Sequence, residues 1–180
     1  MHKEIIFAGF GGQGVILAGK IISIAAMMEG KNVSHIPSYG AEMRGGTANC
    51  SVVISDEEVA SPVVEHPDIC VVLNAPSMVK FEPRLKKDGI LIYNSSLIKD
   101  KPKRSDIKVF AINANEIAEK HGSSRGVNMA ALGFLAKKVP ELVKLDSLGK
   151  ALDDAVSERN RKHNPVNVAI MTEAYNLLLS

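Results

Sequence analysis

Apolar positions along this chain fall into two rhythms. Residues 3–8 end in a continuous apolar run, Ile5-Ile6-Phe7-Ala8, which predicts a buried strand. Residues 13–28 carry Ile16, Ala18, Ile21, Ile22, Ala25 and Met28 at mixed helical spacings and predict a largely buried helix. Gly30 suits a left-handed turn after it. A second strand is predicted over 32–36, stopped by Pro37, and a third over 48–54. Beyond the polar turn Asp56-Glu57-Glu58, residues 59–64 read as the second arm of an antiparallel pair, interrupted by Pro62, which makes the sheet mixed. The run Ile69-Cys70-Val71-Val72-Leu73 is apolar at every position, as in a central strand covered on both faces.

After it, a short helix is predicted over 77–85, a turn at Asp88-Gly89, and strands over 90–93 and 106–112. A helix capped by Asn113 or Asn115 runs to Lys120 and ends at His121-Gly122. The remainder is helical: 128–139, stopped by Pro140; an amphipathic helix over 147–158; and a last helix capped at Asn164-Pro165 that reaches Leu179. Strands alternating with helices over the first two-thirds predict an α/β fold. The expected architecture is a three-layer α/β/α, Rossmann-like, mostly parallel but mixed sheet with a helical C-terminal third.

The 180 residues suit a single domain, and 46% hydrophobic with 23% charged is ordinary for a globular chain. A net charge of +2 does not point to nucleic acid. The one basic cluster, Lys99 to Arg104, is diluted by Asp100, lacks interleaved aromatics and reads as a solvated loop. Cys50 and Cys70 stand far apart in strand-like runs with no C-x-x-C spacing, so they read as buried thiols rather than ligands of zinc or iron–sulfur clusters. No apolar run is long enough to span a bilayer and no signal segment is read at the start, so the cytoplasm is the expected location.

The chemistry concentrates in two glycine-rich stretches. Gly9-Phe10-Gly11-Gly12-Gln13-Gly14 lies between the first strand and the first helix, where unpaired backbone N–H groups at the positive end of a helix dipole welcome an anion. The spacing fits the dinucleotide fingerprint G-x-G-x-x-G. A dinucleotide site also needs an acidic residue at the end of strand two, and Val33-Ser34-His35-Ile36-Pro37-Ser38 offers none. The second stretch, Ser38-Tyr39-Gly40-Ala41-Glu42-Met43-Arg44-Gly45-Gly46, should leave the same sheet edge beside the first turn, with Asn74 to Ser77 converging on it. The candidate binding residues are Gly9, Gly11, Gly12, Gln13, Gly14, Ser38, Tyr39, Gly40, Glu42, Arg44, Gly45, Gly46 and Asn74. No Ser/His/Asp set, carboxylate pair or metal cluster can be placed on these loops. The pattern fits binding, with bond-making elsewhere.

The two glycine stretches, then Asn74-Ala75-Pro76-Ser77 and Asn128-Met129-Ala130-Ala131-Leu132-Gly133, occur in an order that resembles the γ subunit of 2-oxoacid:ferredoxin (acceptor) oxidoreductases. The resemblance covers nearly the whole chain, as one γ-type domain over 1–180. It implies an enzyme of several subunits that oxidatively decarboxylates a 2-oxoacid, passes electrons to ferredoxin and releases an acyl-CoA. It places thiamine diphosphate and Mg²⁺ between partner α and β subunits, and iron–sulfur clusters on β or on a separate δ subunit. This chain would be a companion without activity of its own, packing on the catalytic subunits and helping to bind CoA. The expected substrate is 2-oxoglutarate, with pyruvate, branched-chain and aryl oxoacids open. Within that frame the amides of Gly11, Gly12 and Gln13 would face a CoA phosphate and Arg44 would add a charged contact. The rival use of the same loops is as a subunit interface, and an isolated chain could dimerise through it. The alternative outside the resemblance is a free-standing dinucleotide-binding oxidoreductase.

Overall fold

The computed structural model describes residues 1–39 and 47–177. Among these, six strands form one sheet in the order β2-β3-β1-β4-β5-β6. They are β1 (His2–Phe10), β2 (Asn32–Tyr39), β3 (Thr47–Ser55), β4 (Ile69–Val72), β5 (Ile90–Asn94) and β6 (Lys108–Ile112). β3 lies between β2 and β1, antiparallel to both, while β1, β4, β5 and β6 pair in parallel.

Period-two alternation assigns each strand residue to a face. Ile5, Phe7, Cys50, Val52, Ile54, Ile69, Val71 and Ile92 join the larger core. Covering that face are α1 (Val15–Met28), α3 (Ala114–Lys120), α4 (Val127–Lys138), α5 (Leu145–Ala155) and α6 (Asn164–Tyr175). Ile6, Ala8, Val53, Cys70, Val72 and Leu91 point the other way. That second face is thinly covered, by α2 (Ala75–Phe81), the 3₁₀ turn Glu82–Arg84 and irregular chain carrying Val64 and Ile98. Both faces are therefore closed, but by unequal layers. No described helix is long and apolar enough to cross a membrane.

Several expectations are corrected. Residues 59–64 are not a strand; the antiparallel partner of β3 is β2 on one side and β1 on the other. Pro37 does not stop β2, which continues to Tyr39 with Pro37 opposite Cys50. β2 is an edge strand, bonded on one side only, where proline is tolerated. α1 starts at Val15 rather than Gln13, because Gly14 takes a left-handed conformation (φ 73°) ahead of it. The helix expected over 77–85 starts and ends earlier, with Pro76 in its first turn and Pro83 in a 3₁₀ turn beyond. Asn113 precedes α3 without capping it by its side chain, and α6 ends at Tyr175. Asn164 is likewise no cap: its Nδ2 donates to Asp153 Oδ1 at 2.7 Å, tying α6 to α5.

His35 of β2 sits under α1 with only Gly19 between them; a Cβ on Gly19 would stand 2.9 Å from His35 Nε2. Nε2 is buried without a partner. Burial, with the Lys20 ammonium second, holds the His35 pKa below its ordinary 6.5. The folded state thus keeps this imidazole neutral where the unfolded chain would protonate it. The resulting stability is complete above the unfolded pKa and is lost as pH falls from there through the folded value. Urea midpoints taken between about pH 5 and pH 7.5 should fall toward acid, and His35→Gln should flatten that slope by up to one proton, about 1.4 kcal/mol per pH unit. Parallel slopes for the two proteins would show that His35 does not set the acid limit.

Candidate functional site

The site is built on the end of β1. Gly9 is required by packing: a Cβ there would meet Gln13 Oε1 at 2.6 Å, Val15 Cγ1 at 3.0 Å and Leu73 Cβ at 3.3 Å. The chain then turns, and the Gln13 N–H donates to the Phe10 carbonyl at 3.1 Å. Gly12 (φ 100°) and Gly14 (φ 73°) hold left-handed backbone that a side chain would strain. Among the described residues no side chain caps α1. Among the described residues the amides of Gly11 and Gly12 have no hydrogen-bond partner. These amides and the open first turn of α1 are the donors an anion could use.

Gln13 and Asn74 have other work. The Gln13 Oε1 accepts the Phe10 N–H at 2.7 Å and the Asn74 Nδ2 at 3.3 Å, and its Nε2 donates to the Leu73 carbonyl at 3.3 Å. The Asn74 Oδ1 accepts the Ser77 N–H at 2.8 Å and caps α2. The pair braces the ends of β1 and β4 against each other. The Gln13 N–H, expected to face an anion, is engaged by the Phe10 carbonyl of the turn.

Ser38 and Tyr39 close β2, exposed, opposite Asn49 and Ala48. Thr47 opens β3 opposite Phe10. The second glycine loop is thus anchored at the same sheet edge as the first, although β3 separates β2 from β1. Gly40, Glu42, Arg44, Gly45 and Gly46 lie outside the described residues.

The sequence reading gave no role to two residues that the fold brings here. A cavity of about 580 Å³ opens beside the turn, lined by Gly12, Gly14, Leu17, Arg125, Asn128 and His163 among others. Asn128, 2% exposed at the start of α4, donates from Nδ2 to the Gly14 carbonyl at 3.1 Å. Its Oδ1 is buried with no partner among the described residues. A buried acceptor left without a partner costs about 1–3 kcal/mol. The ionisable side chains lining the cavity among the described residues are Arg125, His121 and His163, and His121 Nε2 lies 2.7 Å from Glu173 Oε2. Behind them, Lys120 and then His121 hold the Glu173 carboxyl below its usual range. Asn128 was visible as part of a motif, whereas Arg125 sits in an unpatterned polar loop and gave no signal.

No group of three or more metal-ligating side chains occurs among the described residues. Burial pushes both cysteine thiols up to about 12, far from nucleophilic range. A model of the family described as pyruvate ferredoxin/flavodoxin oxidoreductase matches residues 4–177. The chain belongs to this family.

Its relatives in the pyruvate ferredoxin/flavodoxin oxidoreductase family include the 2-oxoglutarate synthase subunit KorC of Methanocaldococcus jannaschii. That protein is 36% identical, over 91% of this chain and 89% of its own. The pyruvate/ketoisovalerate oxidoreductases common subunit gamma of Pyrococcus abyssi is also 36% identical, over 88% and 91%. The ketoisovalerate oxidoreductase subunit VorA of Methanothermobacter marburgensis is 43% identical over 73% of this chain, which spans only 27% of that longer protein. Among solved structures, the keto/oxoacid ferredoxin oxidoreductase gamma subunit from Geobacter sulfurreducens PCA superposes with a TM-score of 0.79 at 30% identity, covering 96% of this chain and 98% of its own. A 2-oxoglutarate:ferredoxin oxidoreductase from Magnetococcus marinus shares the fold, with a TM-score of 0.82 at 24% identity over 97% of this chain and 30% of that one.

Proposed function

We propose that this chain is the γ subunit of a 2-oxoacid:ferredoxin oxidoreductase and contributes the CoA-facing side of its active site. The single observation that carries the CoA part is the cradle beside α1. There Gly12, Gly14, the start of α1 and Arg125 line one cavity. A phosphate would take the amides and the guanidinium. Arg44, on the second loop, would add a further charged contact to the ligand or to a carboxylate of a neighbouring subunit. Thiamine diphosphate, Mg²⁺ and iron–sulfur clusters belong in this proposal to partner α, β and δ chains, with ferredoxin as acceptor and the cytoplasm as location.

In this proposal the chain orients and holds; it forms no covalent bond. Its amides fix the anionic end of CoA, and the Gln13–Asn74 brace keeps the turn from relaxing when the ligand leaves. Chain names among the relatives divide between 2-oxoglutarate, ketoisovalerate and pyruvate, so 2-oxoglutarate is the first substrate to try rather than the only one.

The purified chain alone should turn over neither a 2-oxoacid nor a nicotinamide. Adding the co-expressed partner subunits should restore CoA-dependent reduction of ferredoxin or a viologen dye. Oxoacid oxidation or hydride transfer by the lone chain would overturn the proposal in favour of a free-standing oxidoreductase.

A further inference from the structure

The basic cluster that reads in sequence as a solvated loop is fastened to the thin face of the sheet. The Glu82 carboxylate, 5% exposed, accepts the backbone N–H groups of Lys103 and Arg104, the latter at 2.7 Å. Arg104 is engaged internally, by Asp106 through Nε at 2.8 Å and by the Leu85 carbonyl. The ammonium groups of Lys101 and Lys103 have no partner among the described residues, and Lys80 rests only over the Phe81 ring, 5.2 Å from its centre. Between this loop and α2 lies a groove of about 620 Å³ with Ala75, Met78, Val79 and Pro83 on its apolar side. Val79 is 68% exposed. Asp100 is the one other acid on the rim.

We propose that this groove docks an acidic segment of another polypeptide of the assembly. An apolar side chain of that segment would sit on Val79 and Pro83, and its carboxylates would meet Lys101 and Lys103. Charge complementarity selects the occupant: the Lys101 and Lys103 ammoniums, without partners among the described residues, border the apolar surface on the loop side, and the buried Glu82 is already satisfied by two N–H groups. A small-molecule site would show convergent, fixed polar groups. None of the buried polar atoms without a partner lines this groove. An apolar centre inside a charged rim is instead the anatomy of a protein interface. Its place in the fold fits a partner subunit, because α2 starts at Asn74, which touches Gln13 of the glycine turn.

The test uses the co-expressed complex. A photoreactive Val79→p-benzoylphenylalanine, and separately the same change at Pro83, should crosslink to a different subunit within a stretch bearing at least two Asp or Glu beside the linked residue. Lys101→Glu with Lys103→Glu should weaken retention of this chain at least tenfold and flatten the fall of affinity with salt. Lys150→Glu, on α5, should change neither. The proposal is overturned by an unaltered affinity and salt slope in the double variant. It is also overturned by crosslinks to a second copy or to a segment without acids, or by no crosslink from either position.

Discussion

Replacing Gly12 by Asp is expected to raise the KM for CoA at least tenfold in the assembled complex while leaving kcat at saturation nearly unchanged. Gly12 lines the cavity, and a Cβ there meets nothing within 4 Å, so a new side chain has room. Two costs follow. The backbone sits at φ 100°, where an L-residue is strained by about 1–2 kcal/mol. The carboxylate would also stand among amides and cations arranged for an anion, repelling the phosphate they attract. Gly12→Asn separates these terms, because it has nearly the same shape, tolerates left-handed backbone and carries no charge. Asn should therefore show the strain as lost thermal stability with a much smaller change in KM. A tenfold rise corresponds to about 1.4 kcal/mol, which one unfavourable charge in a partly desolvated cavity can supply. The loss should appear in KM because the phosphate end of CoA is remote from the bond being made, so ground state and transition state lose the contact equally. If Asp and Asn variants share the parent's KM, the turn does not hold CoA, and the interface reading of the same loops takes its place.

The parts of this fold that local pattern decides were legible in the sequence. The apolar run around Val71 is a strand because both its faces are covered, and Gly30 ends α1 with φ 79°. What was not legible depends on partners distant in the chain. The pattern of 48–54 announces a strand but not that β3 would enter between β1 and β2. Nothing in Pro37 announces an edge position that removes its penalty. At the site, the glycines were readable because left-handed backbone and close approach restrict a position to one residue type. The 3.3 Å contact between Gln13 and Asn74 was not, since an amide can bind a ligand or a neighbour equally well. Arg125 and the basic loop show the same limit from the other side. An exposed cation means little until the fold shows which cavity it borders.

Gly133 is expected to be the residue whose substitution damages the fold most for the fewest added atoms. It sits in α4, ten of whose twelve residues are buried, and a Cβ there would run into the backbone of Met171 in α6, standing 2.7 Å from its Cα and colliding with its carbonyl oxygen. A side chain can rotate out of a clash, but the main chain of a helix cannot, so α6 must move as a body. Overpacking of this kind costs about 1–3 kcal/mol even for one carbon, which for a chain of this size lowers Tm by roughly 2–4 °C per kcal/mol. Gly133→Val adds two further carbons against the same wall and should leave little of a total stability of about 5–15 kcal/mol. Gly149 in α5 provides the contrast, because a Cβ there would find only Val168 Cγ2 at an ordinary 3.7 Å. Gly149→Ala should gain up to about 1 kcal/mol from helix propensity alone. Equal Tm shifts for Gly133→Ala and Gly149→Ala would sink the claim that α4 and α6 touch through their backbones. The consequence reaches the cavity, since α4 begins beside Asn128 and α6 begins beside His163. Any separation of the two helices that Gly133→Ala survives should therefore also weaken CoA binding in the complex, with no residue of the turn altered.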